Sequence, residues 1–93
     1  MTALSVVIPT HGTRDLTLRC VESLACEGTA DLDLVVVDDG SRDGTAAALA
    51  AAHPQVRVLR NDPALGFTRA ANRGMAAATA DLLLLLNSDT EVA

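Results

Sequence analysis

Hydrophobic positions in this chain fall into short continuous runs separated by polar turns. Leu4-Ser5-Val6-Val7-Ile8 is rich in β-branched residues and halted by Pro9, which predicts a buried strand. After the loop His11-Gly12-Thr13, either Thr13 or Asp15 can cap a helix running to about Glu27. Leu16, Cys20, Val21 and Leu24 share one face of that helix, and Gly28 stops it. Positions 32–37 predict the second strand. Asp43-Gly44 opens a short alanine-rich helix that ends before His53-Pro54. Val56-Arg57-Val58-Leu59 predicts the third strand, and the stretch 61–66, with Pro63, a loop. A third helix over 67–79 is weakened by Gly74. The run 81–86 predicts a fourth strand.

The order is β-α-β-α-β-α-β. Strands that are continuous apolar runs belong to a parallel sheet covered on both sides. The expected fold is therefore α/β: a Rossmann-like open parallel sheet of about four strands with helices on both faces, joined by right-handed crossovers. With no linker, repeat or low-complexity tract beyond the alanine clusters, positions 1–93 read as a single domain.

Composition narrows the function classes. Phe67 is the sole aromatic in a chain that is 49% hydrophobic, so the core is aliphatic and small, and the margin over chain entropy is expected to be thin. The formal net charge is −5, and the seven basic residues are scattered arginines with no lysine among them. Without a basic stripe, nucleic acid is not an expected partner. Cys20 and Cys26 fall on different faces of one helix, which argues against a disulfide and for a reducing compartment. No apolar run approaches membrane-spanning length and none reads as a signal peptide, so a cytoplasmic location is expected.

Two polar turns sit where hydrophobic runs stop. Leu34-Val35-Val36-Val37 ends in Asp38-Asp39-Gly40-Ser41, and the run 82–86 ends in Asn87-Ser88-Asp89-Thr90. Ligands of open parallel sheets bind outside the carboxyl ends of the strands. Gly40 permits a tight turn, Ser41 or Asp43 can cap the next helix, and one carboxylate can accept hydrogen bonds from a ligand. Asp89 could hold Mg2+ or Mn2+ with substrate phosphates completing the shell, which would reconcile an acidic site with a phosphate-bearing ligand. Each turn, taken alone, also reads as a solvated strand end, and His11 as an ordinary loop histidine. The chain has no G-x-G-x-x-G after the first strand and no G-x-x-x-x-G-K-[ST]. A receiver domain would place its aspartates after the first strand and a lysine late in the chain; both are missing. No base stands at motif spacing to activate Ser41 or Cys20 as a nucleophile.

Taken together, Val6-Val7-Ile8-Pro9-Thr10-His11, Val35-Val36-Val37-Asp38-Asp39-Gly40-Ser41, Asn61, Gly66-Phe67, Ala70, Asn72, Gly74 and Leu85-Leu86-Asn87-Ser88-Asp89-Thr90 occur in one order. This constellation resembles the N-terminal, nucleotide-sugar-binding half of glycosyltransferase family 2, with the GT-A fold. Gly66-Phe67 with Leu86-Asn87 is most similar to the rhamnosyltransferase-like branch. The resemblance implies that Pro9, Thr10 and His11 border the base and ribose. It implies that Asp39 hydrogen-bonds the base, with Asp38 supporting the turn. The stretch from Gly66 to Asn72 would lie near the phosphates and sugar, and Asn87-Ser88-Asp89 stands for the D-x-D signature, with Asp89 on the divalent metal.

Gly12 departs from the family's common asparagine, and Asn87 replaces the first acid of D-x-D. The family continues well past Asp89, so a partial GT-A domain is expected, with the catalytic base and acceptor site downstream. The implied reaction of an intact relative is inverting transfer of a sugar from a UDP- or dTDP-sugar to an acceptor hydroxyl on a glycan or lipid-linked molecule, in cell-envelope polysaccharide synthesis, at the inner face of the membrane. This fragment would bind donor and be inactive alone. A non-catalytic nucleotide-binding or scaffold module is the alternative. A nucleotidyltransferase would need a Gly-rich, Arg-bearing loop, of which Gly12-Thr13-Arg14 is a faint echo. The last strand is expected to leave an open apolar edge prone to self-association.

Overall fold

The computed structural model describes residues 4–26 and 32–87. Its elements run β1 (Leu4–Thr10), α1 (Arg14–Cys26), β2 (Leu32–Asp39), α2 (Thr45–Ala52), β3 (Arg57–Asn61), α3 (Phe67–Ala77) and β4 (Leu82–Leu85). All strand pairings are parallel, in the order β3-β2-β1-β4. The expected fold class stands.

Alternation along the strands sorts the core into two layers. Val6, Ile8, Leu34 and Val36 pack with Cys20, Val21 and Leu24 of α1, Leu49 of α2 and Val56. Val7, Val35 and Val37 turn the other way, toward Ala70 of α3. The chain moves outward from β1 to β2 to β3, then crosses back to the far side of β1. With right-handed crossovers, α1 and α2 must cover one face and α3 the other. The reversal places a topological switch point at the carboxyl end of β1, between β2 and β4.

Several boundaries differ from the sequence expectation, each for a physical reason. Pro9 does not end β1, because the carbonyl of Val7 accepts from Leu86 N–H on the β4 side. Pro9, two residues on, aims its missing donor at that same side, past the last β4 pair at Leu85. β2 continues through Asp38 and Asp39, since β3 pairs with both, Asp38 against Arg60 and Asp39 against Asn61. Asn61 thus belongs to a strand. Gly74 is not a weak point of α3 but its contact point on the sheet. A Cβ there would collide with Val7 Cγ1 and lie 2.9 Å from Val37 Cγ2. Leu16 is not in the core; Thr17 is buried in the helix face that reads as apolar. The side chain of Cys26 lies outside the described residues, while Cys20 is buried.

Among the described residues β4 is paired only through β1, and its leucines, 82 to 85, are between 39% and 67% exposed. That edge of the sheet has no further strand on it among the described residues. At the amino ends of the strands, Asp33 accepts from Ser5 Oγ at 2.8 Å, from Arg57 Nε and Nη2 at 3.0 and 2.8 Å, and from Thr79 N–H and Oγ at 3.1 Å each. One carboxylate ties together β1, β2, β3 and the approach to β4. Burial pushes its pKa up, but the bonds from Arg57, Ser5 and Thr79 outweigh this and leave it below the ordinary value.

Candidate functional site

A cavity of about 550 Å³ opens at the switch point. Pro9, Thr10 and His11 reach it from the end of β1, Asp39 from β2, Ala64 and Gly66 from the β3–α3 loop, Phe67 and Ala70 from α3, and Asn87 from the end of β4. Its size suits a nucleotide-scale ligand.

Asp39 is the anchor of the cavity wall. It is 5% exposed. Its Oδ1 accepts from Leu65 N–H at 2.7 Å and from Asn61 Nδ2 at 3.0 Å, and its Oδ2 accepts from Gly66 N–H at 2.9 Å. Burial alone would raise its pKa, yet these three bonds and the His11 ring hold it below the ordinary value. The carboxylate is thus ionised at neutral pH and organises the loop that frames the cavity. Asn61 is held in turn by Arg73, whose Nη1 donates to Asn61 Oδ1 at 2.5 Å and to the Arg60 carbonyl at 2.6 Å.

Asp38 has the opposite outlook. It is fully buried and does not line the cavity. Its Oδ1 accepts from Ser41 N–H at 3.0 Å, and its Oδ2 pairs with Arg60 Nη1 at 2.7 Å. Arg60 also donates to the Ser41 carbonyl at 2.8 Å. Both backbone groups of Ser41 are therefore clamped. Gly40, between them, has φ +74, and a Cβ there would lie 2.8 Å from Ala64 Cβ. Only glycine lets the β2 turn and the β3–α3 loop approach this closely.

The β1–α1 loop is tied to the same turn. Gly12 N–H donates to Ser41 Oγ at 2.8 Å, and Arg14 N–H to Asp43 Oδ2 at 3.0 Å. Asp43 also accepts from Thr45 N–H at 3.2 Å, so it serves the first turns of both α1 and α2. The Thr45 hydroxyl bond, outweighing burial, lowers its pKa, with further help from the Arg14 and Thr45 N–H groups. The Thr10 hydroxyl shares bonds with Thr13 and Thr17 at 2.8 and 2.6 Å. His11 Nδ1 lies 2.5 Å from the Asp39 carbonyl. A carbonyl only accepts, so Nδ1 carries the proton, and in the neutral ring Nε2 is the open acceptor.

Of the residues expected at the site, Pro9, Thr10, His11, Asp39, Gly66 and Asn87 share this cavity. Asn72 is exposed on α3 and is not in the lining. Ser88 and Asp89 lie outside the described residues. Sequence reasoning missed Thr13, Leu16 and Ala64 in the lining and the arginines behind it. Leu16 carries an apolar signal that reads as core, and Arg60 and Arg73 carry no local signal at all. Among the described residues there is no cluster of three or more metal-ligating side chains. Asp39, the one carboxylate among the described lining residues, is committed to N–H donors.

The Glycosyl transferase family 2 model matches residues 5–93. This chain belongs to glycosyl transferase family 2. Among its relatives, the uncharacterized glycosyltransferase YibD of Escherichia coli (strain K12) is 35% identical over 92 residues, spanning 96% of this chain and 26% of YibD. Staphylococcus aureus TarS 1–349, solved in complex with UDP-GlcNAc, superposes with a TM-score of 0.85 at 24% identity, over 95% of this chain and 27% of that one. The mannosyltransferase PcManGT of Pyrobaculum calidifontis, in complex with GDP-Man and Mn2+, gives 0.84 at 24% identity, over 95% and 28%. The chain spans about a quarter of the length of each of these three proteins. The structural neighbours confirm the fold.

Proposed function

We propose that this chain is the donor-binding portion of a family 2 glycosyltransferase. It would hold the nucleotide diphosphate of a UDP- or dTDP-sugar while a sugar is transferred to a hydroxyl of a glycan or lipid-linked acceptor. The observation that carries the reading is the convergence of Pro9, Thr10, His11, Asp39, Gly66 and Asn87 on one cavity at the switch point. Relatives bearing UDP-GlcNAc and GDP-Man support a nucleotide-sugar ligand.

The ionised Asp39 would accept a base N–H, His11 and Pro9 would flank the base and ribose, and Gly66 and Phe67 would open α3 toward the diphosphate. The role of Asn72 in that stretch rests on the family motif. A single carboxylate at Asp89, together with substrate phosphates, suits Mg2+ or Mn2+, which needs one or two protein carboxylates when phosphates complete its shell. Such an ion would neutralise the leaving diphosphate. The Mn2+ in PcManGT supports this assignment.

A second reading, a binding module without catalysis, draws on one observation: the one carboxylate among the described lining residues already accepts three hydrogen bonds from the protein. Among the described residues no helix is long and apolar enough to cross a membrane. A cytoplasmic site, at most peripheral to the membrane, is part of the proposal, as is self-association through β4.

Calorimetric titration of UDP and dTDP with and without Mn2+ tests the reading. Binding that depends on the metal and is lost in both Asp39→Ala and Asp89→Ala supports it. A folded chain that ignores both nucleotides at millimolar concentration sinks it.

A further inference from the structure

The hydrogen bonds around Asp39 restrict what it can read. A carboxylate offers about four acceptor positions. Oδ1 spends two, on Asn61 Nδ2 and Leu65 N–H, and Oδ2 spends one, on Gly66 N–H. Among the described residues no further donor reaches Oδ2, so one acceptor position remains for a ligand. Asn61 can hold its share only while its amide is oriented with nitrogen toward Asp39. Arg73 sets that orientation, because its guanidinium donates to Asn61 Oδ1 and anchors itself on the Arg60 carbonyl. A flipped amide would turn its NH2 toward the guanidinium, donor against donor. Both Asp39 and Asn61 are about nineteen-twentieths buried, so water is a poor substitute for a lost partner here.

Guanine is ordinarily matched to a carboxylate through two parallel bonds, N1–H and N2–H, one to each oxygen. Here Oδ1 is full. Uracil and thymine present a single imide N–H, N3–H, which needs one acceptor. A guanine placed against Asp39 would leave one N–H buried without a partner, and a site that leaves a polar group unpaired rejects that ligand.

We infer that Asn61 and Arg73 are positioning residues that set base specificity: by saturating Oδ1 of Asp39 they leave one acceptor, which selects a uracil or thymine nucleotide over a guanine nucleotide. The inference rests on the proposed donor-binding role and names the base class within it.

The test is calorimetric titration of the full chain with UDP, dTDP, GDP and N3-methyl-UDP, with Mn2+ present throughout. UDP and dTDP should bind at least about tenfold more tightly than GDP, and methylation of N3 should cost UDP at least about tenfold. In Asn61→Ala the vacated acceptor lets guanine pair through both N–H groups, so the ratio of UDP to GDP affinity should fall toward one. Arg73→Lys, which keeps a cationic donor, should preserve the ratio better than Arg73→Met. A change in the affinity ratio is not produced by a mere loss of folded protein, which lowers both affinities together. GDP binding as tightly as UDP, N3-methyl-UDP binding as well as UDP, or an unchanged ratio in folded Asn61→Ala would each overturn this inference alone. Binding of none of the four would overturn the proposed function and this inference with it. Should Asn61→Ala not fold, the four ligands on the unmodified chain still decide.

Discussion

Asp38 and Asp39 are neighbours in sequence and face opposite sides of the sheet. Asp38 shares the α1–α2 side with Val36, while Asp39 shares the α3 side with Val37. Period-two alternation at the end of β2 divides one acidic pair into a clamp on the turn and a wall of the cavity. Their partners in β3 follow the same alternation, Arg60 for Asp38 and Asn61 for Asp39.

The two aspartates should therefore fail differently. Asp38→Ala strips the acceptor from Ser41 N–H and from half-exposed Arg60, and should cost about 1–3 kcal/mol of stability, read from urea denaturation. Nucleotide affinity per folded molecule should change little. Asp39→Ala should abolish measurable nucleotide binding. Equal losses of affinity in the two variants would contradict this division.

Gly74→Ala should destabilise the chain although alanine is the better helix former. The propensity gain is about 1 kcal/mol, but the added methyl meets Val7 and Val37 across the α3–sheet contact. Overpacking of this kind costs about 1–3 kcal/mol, so a net loss is expected in the thermal midpoint. A raised midpoint would mean that α3 can lift off the sheet at no cost.

Gly40→Ala adds left-handed strain at φ +74 to a collision with Ala64. The β3–α3 loop must shift, and with it the Leu65 and Gly66 N–H groups that hold Asp39. Weaker nucleotide binding with lower stability is the expected pair of outcomes. Pairing the change with Ala64→Gly should recover part of both, since it removes the methyl that the new side chain meets.

Stability should fall on the acid side. Asp33, Asp39 and Asp43 all titrate below their ordinary value of 3.8 in the folded chain. A group whose folded pKa is depressed contributes stability that is complete above the unfolded value and lost as pH falls through the folded one. The urea midpoint should be level as pH drops from 7 toward 5, decline near 4, and keep declining below it. Asp33→Asn should lower the plateau and flatten that decline. A midpoint that rises on acidification would contradict the assignment.

The exposed leucines of β4 should drive association. Sedimentation should show concentration-dependent oligomers, and replacing Leu83 and Leu85 with lysine should yield monomers, because charge on an edge strand opposes pairing. A monodisperse monomer of the unmodified chain at high concentration would count against it.

The sequence by itself determined the kind and order of the elements, because burial of a strand or helix leaves a local hydrophobic period that needs no partner to be read. It also placed His11, Asp39 and Asn87 at strand ends, where an open parallel sheet keeps its ligands. The tertiary structure decided what those residues touch. The brace from Arg73 through Asn61 to Asp39 depends on the register of β3 against β2, and a one-residue slip would exchange Asn61 for a neighbour on the other face. Gly74 reads as a defect in an isolated helix and becomes a necessity only when α3 lies on Val7 and Val37. Leu16 has the apolarity of a core residue, but α1 turns it to the cavity, where it is 40% exposed. In each case the deciding contact joins residues distant in sequence, and local periodicity records burial without recording the neighbour.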